Sequence, residues 1–149
     1  MKRLSLLFLA ISATSLLHAQ DTTIKFSFNH LALSVKDVNR SAEFYATVLK
    51  LPEIVNRTKI EGIRWFALAD GKELHLISII KKKFIINKAI HMGLSTKSFD
   101  EFVKRLTASK IVFSDWPGKA NTVNIRTDGI KQIFFQDPDG YWVEVNNVE

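Results

Sequence analysis

No cysteine occurs among the 149 residues. Disulfide scaffolds, thiol nucleophiles, iron–sulfur clusters and cysteine-ligated zinc are thereby excluded together. Glycine is scarce, with only six, which excludes collagen-like repeats. The longest apolar run, residues 4–17, falls short of the ~20 residues that a membrane-spanning helix needs. Basic side chains interleaved with aromatics along one face are also missing, so nucleic acid is not an expected partner. Lys81, Lys82 and Lys83, with Lys88 nearby, read as a solvated loop, and anionic small molecules remain possible ligands. With 46% hydrophobic and 24% charged residues, the composition is that of a folded globular chain.

Residues 1–19 stand apart. Lys2 and Arg3 open a positive start, the apolar run follows, and Ala19 supplies a small residue for cleavage. The segment is read as a signal peptide, which predicts an exported protein, periplasmic or secreted, with no membrane attachment after cleavage. Losing Lys2 and Arg3 lowers the formal net charge from +6 by two. Residues 20–149 then form a single domain, large enough to bury its own core.

That domain contains a repeat. A strand at 26–35 is followed by a helix that Asp37 caps, with Val38, Ala42, Tyr45 and Leu49 on one face. Strands are predicted at 53–58, 63–69 and 73–80, the last two joined by a hairpin at Asp70-Gly71. The second half reads the same way. A strand at 89–95 precedes a helix with a Ser98–Glu101 capping box, then strands at 110–114, 122–126, 131–136 and 141–146. HLALSVK from His30 matches HMGLSTK from His91 at an offset of 61, and DGKELHL from Asp70 matches DGYWVEV from Asp139 at 69. The extra residues enlarge the turn-rich loop around 114–121.

The repeat pairs the polar residues of the strands. Past residue 19 there are three histidines, His30, His75 and His91. His30 and His91 hold the same place in the first strands, and His75 and Glu144 the same place in the last. Strand alternation sends their apolar neighbours to the opposite face, so the four polar groups share one side. Imidazole nitrogens and a carboxylate oxygen on rigid strands suit one divalent transition metal with room for substrate. The alternative is four unconnected side chains, each bonded to backbone or solvent. Glu73, on the face of His75, reads as a solvated rim residue, with a base supporting the site as the alternative. One of Arg64 and Trp65 faces the cavity, and Trp116 and Tyr141 are aromatic candidates for its walls.

FNHLALSVKDVNRSAEFYATVLKLP, FALADGKELHLI, AIHMGLST and FFQDPDGYWVEV together resemble the vicinal oxygen chelate superfamily of glyoxalase I, bleomycin-resistance proteins, fosfomycin-modifying enzymes and extradiol dioxygenases. The resemblance implies an α+β fold in which two tandem βαβββ modules, about 26–80 and 89–147, form an open cup-shaped mixed β-sheet barrel. It implies a homodimer, a small-molecule substrate, and metal ligation by His30, His75, His91 and Glu144. Three nitrogens and one carboxylate leave a divalent site at net +1 and favour zinc, nickel or iron. Glyoxalase I is similar but carries glutamate at the position of His75, so Glu144 alone is left as catalytic base. The leading expectation is a divalent-metal-dependent, glyoxalase-like lyase or isomerase acting on an oxygen-chelating substrate. Two alternatives stay open: a drug- or metabolite-binding protein of the bleomycin-resistance type, and a non-haem iron dioxygenase using His30, His91 and Glu144.

Overall fold

Asp37 starts the first helix as its position predicts: its carboxylate accepts the backbone N–H groups of Asn39 and Arg40 at 2.8 and 3.1 Å. In the computed structural model, which describes residues 26–79 and 85–148, β1 (His30–Ser34) precedes this helix, α1 (Val38–Thr47). β2 (Glu53–Ile54), β3 (Ile63–Ala67) and β4 (Glu73–Ile77) follow. The second half repeats the order with β5 (His91–Ser95), α2 (Phe99–Ala108), β6 (Asn124–Ile125), β7 (Lys131–Gln136) and β8 (Trp142–Asn146). The segment read as a signal peptide and the lysines at 81–83 lie outside the described residues.

Each half makes a four-stranded mixed sheet, ordered β1-β4-β3-β2 and β5-β8-β7-β6. The first strand of each half runs parallel to its last strand, and the remaining pairs are antiparallel. The architecture is the expected α+β pair of βαβββ modules. Among the described residues the sheets are not closed into a barrel: β1 and β2 are the edges of one, and β5 and β6 those of the other.

Some local expectations shift. Ladder pairing begins at His30, and Phe26 and Phe28 before it are exposed. The turn at Asp70 is a single 3-10 turn, with Asp70 at φ 55°. Ser98 does stand at the start of α2, but its side chain makes no cap bond; Thr96 Oγ1 accepts the Ser98 N–H instead. The strand predicted at 110–114 reduces to bridges at Ser114, because Lys110 enters the left-handed region at φ 56° and breaks the extended run.

Alternation along the strands builds two apolar layers. Leu33, Leu74, Leu76 and Phe66 pack with Ala42 and Tyr45 of α1, while Ile133, Phe135, Val143 and Val145 pack with Phe99 and Leu106 of α2. Phe44, Leu49 and Met92 touch both clusters, so the apolar faces of the two sheets share one interior. The polar faces therefore lie on the far side of each sheet.

The two junctions between modules differ. Tyr45 OH donates to Asp137 Oδ2 at 2.9 Å and Ser41 Oγ donates to Asp139 Oδ2 at 2.6 Å, seating the β7–β8 turn on α1. The Asp137 carboxylate also accepts the N–H groups of Asp139 and Tyr141. At the repeat-related junction, α2 carries Phe102 and Leu106 where α1 carries Ser41 and Tyr45. There, Leu49, Leu68, Ala69, Leu94 and Phe102 line a cleft of about 520 Å³, with Glu101 and Arg105 among its polar lining.

Candidate functional site

Strand register decides which residues share the polar faces. On the first sheet His30 stands opposite Glu73, and Ala32 opposite His75. Trp65, not Arg64, is the β3 residue opposite His75. Arg64 points the other way and binds Glu53, its Nε donating at 2.7 Å. On the second sheet His91 stands opposite Trp142 and Gly93 opposite Glu144, with Phe134 of β7 across from Glu144. An added Cβ at Gly93 would meet nothing within 4 Å, so open space lies beside Glu144.

The structure brings the four predicted residues together two by two. Among the described residues, no three of His, Asp and Glu form a group that could hold one metal ion. In the first module the His30 and His75 rings stack, with centroids 4.3 Å apart and planes 16° from parallel. In the second, His91 Nε2 lies 3.2 Å from Glu144 Oε2. The pairs sit on the outer faces of separate sheets, and the shared apolar interior separates those faces.

The His91–Glu144 pair is built for a cation. Lys88 O accepts a hydrogen bond from His91 Nδ1 at 2.9 Å, which places a proton on Nδ1, so that the neutral ring carries its lone pair on Nε2. That lone pair faces a carboxylate oxygen, and Asn146 Nδ2 donates to the other oxygen at 2.8 Å. Two acceptors aimed at each other require a proton or a metal ion between them. Nitrogen and carboxylate donors fit a borderline divalent transition metal.

Lys88 was legible only as part of a solvated basic loop. In the structure its Nζ donates to Ser114 Oγ at 2.9 Å and to Trp116 O at 3.1 Å. The ammonium sits 4.8 Å from both the Phe134 and Trp142 ring centres, an arrangement that stabilises a cation over aromatic faces. Burial holds its pKa below the ordinary lysine value, partly offset by Asp115. The half-exposed Trp116 of this loop makes a T-shaped contact with the His91 ring, with centroids 6.4 Å apart.

Glu73 is likewise not a free rim residue. Its carboxylate accepts two hydrogen bonds from Arg57, at 2.7 and 2.9 Å, and one from His75 Nε2 at 2.8 Å. Those bonds, Arg57 first, hold its pKa below the usual glutamate value. Arg57 also lies 4.5 Å over the Trp65 ring, which stacks on His75 at 4.1 Å and 7°. Tyr141 belongs to the module junction, where its OH donates to Ser34 O at 3.0 Å.

Paired βαβββ modules with polar donors on the first and last strands define a glyoxalase-like protein. The chain belongs to the Glyoxalase/Bleomycin resistance protein/Dioxygenase superfamily, whose pattern it matches over residues 27–145. It is 29% identical over 126 residues to Metallothiol transferase FosB of Staphylococcus saprophyticus, covering 80% of this chain and 76% of that protein. A glyoxalase/dioxygenase from Nostoc punctiforme superposes with a TM-score of 0.64 at 25% identity, covering 93% of this chain and 99% of the other. Lactoylglutathione lyase from Agrobacterium tumefaciens shares the fold, with a TM-score of 0.63 at 19% identity, covering 84% and 96%.

Proposed function

We propose that this protein is a divalent-metal-dependent enzyme that holds adjacent oxygens of a small anionic substrate at a centre shared between two chains. His91 and Glu144 of one chain would hold the ion together with His30 of a second. The observation that carries this reading is the His91–Glu144 pair, in which Nε2 faces a carboxylate oxygen at 3.2 Å while Lys88 O binds Nδ1. Zinc, nickel or iron bound there would supply Lewis acidity toward substrate oxygens.

Several features support assembly across a dimer. β1 and β5 are unpaired edges, and His30 and His91 are their first residues. Free edges invite pairing with another chain, and the exposed Phe26 and Phe28 lead directly into β1. If the site is shared, mixing His30→Ala with His91→Ala protein should recover metal binding. Each mixed dimer then contains one intact site, built from His30 of one chain with His91 and Glu144 of the other. Zinc calorimetry on the mixture checks this. No recovery, or a single ~17 kDa species in light scattering at micromolar concentration, would sink the shared site.

The chemistry follows from the number of bases. Asn146 holds the Glu144 carboxylate in place, and with His91 assigned to the ion Glu144 is the carboxylate base of this half-site. Isomerisation of the glyoxalase type uses a carboxylate on either side of the substrate, and His75 occupies the second position. Addition of a nucleophile to an activated substrate needs only one. The name of the relative from Staphylococcus saprophyticus supports that choice, with a thiol as the transferred group. A lyase using Glu144 as its single base is the second reading, favoured by the same carboxylate.

Residues 1–19 support export to the periplasm or medium, which would place the enzyme with external substrates. Mass spectrometry of exported protein should give a chain beginning near Gln20. An intact Met1 would refute export by cleavage.

A further inference from the structure

We infer that His75 is a positioning residue: clamped in a stack of rings, it orients His30 toward the ion and is not itself a ligand. The inference rests on the metal reading above and deepens it, since the repeat places His75 where Glu144 stands in the other module.

The first argument is geometric. An imidazole binds a metal along a lone pair in its own ring plane, with the ion ~2.1 Å from the nitrogen. The His30 and His75 planes are tilted by only 16°, and their centres are 4.3 Å apart face to face. Planes so nearly parallel at that spacing do not meet within reach of a metal–nitrogen bond, so one ion cannot lie in both. Either ring can ligate, but not both at once.

The second argument chooses between them. His75 Nε2 donates to Glu73 Oε2 at 2.8 Å, and Glu73 is anchored in turn by Arg57. That nitrogen carries a proton and has no lone pair to offer. Both faces of the His75 ring are covered, one by Trp65 and the other by His30. Trp65 is buried, and its Nε1 has no hydrogen-bond partner, so the indole serves this site through its face alone. His30, by contrast, is exposed at a free sheet edge, and its Nδ1 contacts Asn29 Oδ1 at 2.8 Å. That bond leaves its Nε2 available, the same division of roles that Lys88 O imposes on His91.

Arg57, Trp65, His75 and His30 thus form one continuous stack, with Glu73 tying Arg57 at one end to His75 in its interior. The stack fixes the His30 ring before any ion arrives. The resulting centre has three protein ligands, leaving positions open for two oxygens of a substrate. A fourth imidazole would fill one of them.

Zinc titration of the full chain separates the roles. His75→Phe keeps a flat ring in the stack but has no nitrogen, and should bind zinc within about threefold of the parent. His75→Ala removes the ring and should lose about 10–100-fold, the usual effect of removing a group that orients a ligand. His30→Ala should lose more than either. Nitrogen-15 spectra of the imidazoles in the unmutated protein give a second reading that does not depend on any variant. On adding zinc, one nitrogen of His30 and one of His91 should shift to metal-bound values while His75 Nε2 stays protonated. A fall for His75→Phe as deep as that for His30→Ala, or loss of the His75 proton on zinc addition, would overturn the inference while leaving the metal centre standing. Unchanged affinity across His30→Ala, His75→Ala and Glu144→Gln would overturn both.

Discussion

Replacing His91 with alanine should weaken zinc binding by more than ~100-fold, beyond the 10–100-fold typical of removing a group that merely supports a ligand. The substitution removes the one ring nitrogen aimed at Glu144, leaving a carboxylate oxygen with no partner donor across 3.2 Å. It should do so without unfolding the chain. His91 is an exposed first residue of an edge strand, and its ring meets those of Trp116 and Phe134 in T-shaped contacts. Calorimetry with zinc and nickel, alongside a thermal melt, measures the two effects separately. Glu144→Gln provides the chemical counterpart. It keeps an oxygen donor in the hold of Asn146 but cannot take a proton, so activity should fall further than metal occupancy. Unchanged affinity for His91→Ala with an unchanged melt would remove the metal centre.

Asp137→Ala should be the most damaging change far from that centre. The carboxylate accepts three hydrogen bonds, from Tyr45 OH and from the backbone of Asp139 and Tyr141. Its loss leaves the fully buried Tyr45 hydroxyl without an acceptor and removes one of the two side-chain bonds that seat the β7–β8 turn on α1, leaving the bond from Ser41 to Asp139. A buried donor left unsatisfied costs about 1–3 kcal/mol, and with the two turn bonds the total is about 3–5 kcal/mol. A domain of this size should melt roughly 10 °C or more lower. Asp137→Asn separates charge from shape. Burial, more than the neighbouring Asp139, raises the Asp137 pKa above the ordinary 3.8, against the hydrogen bonds that lower it. A raised value means the folded chain holds this proton more tightly than the unfolded one. The corresponding stability is complete below pH ~4 and is lost as pH rises through the folded value. Stability of the parent relative to Asp137→Asn should therefore decline from pH 4 upward. A flat difference between the two melting curves would contradict this assignment.

The repeat made most of this architecture legible. His30 with His91, and His75 with Glu144, could be paired from spacing alone, because both modules reuse one strand pattern. Helix α1 was equally readable, since Asp37 acts through neighbours two and three residues away. What sequence could not supply was register between strands. Trp65 and Arg64 are adjacent, and only the pairing of Trp65 with His75 decides which one reaches the polar face. Lys88 was hidden for a related reason. Its partners Ser114 and Trp116 lie 26 and 28 residues away, in a loop whose path no local pattern dictates. Nor could spacing reveal that two histidines on one face stack instead of converging. That depends on the ring of Trp65 behind them and the carboxylate of Glu73 beside them.

The unequal junctions give the molecule a mechanical bias. At one, Tyr45 and Ser41 bind Asp137 and Asp139; at the other, Leu68 and Phe102 border an open cleft. Close-packed, hydrogen-bonded contacts resist deformation, whereas a void yields because the atoms lining it have nothing to push against. The hydrogen-bonded junction thus lies at α1 and the β7–β8 turn, and the gap lies at α2. One sheet carries His30 and the other carries His91 and Glu144, so closing that gap changes the angle between the two donor sets. The repeated unit therefore meets its copy through one fastened junction and one open one.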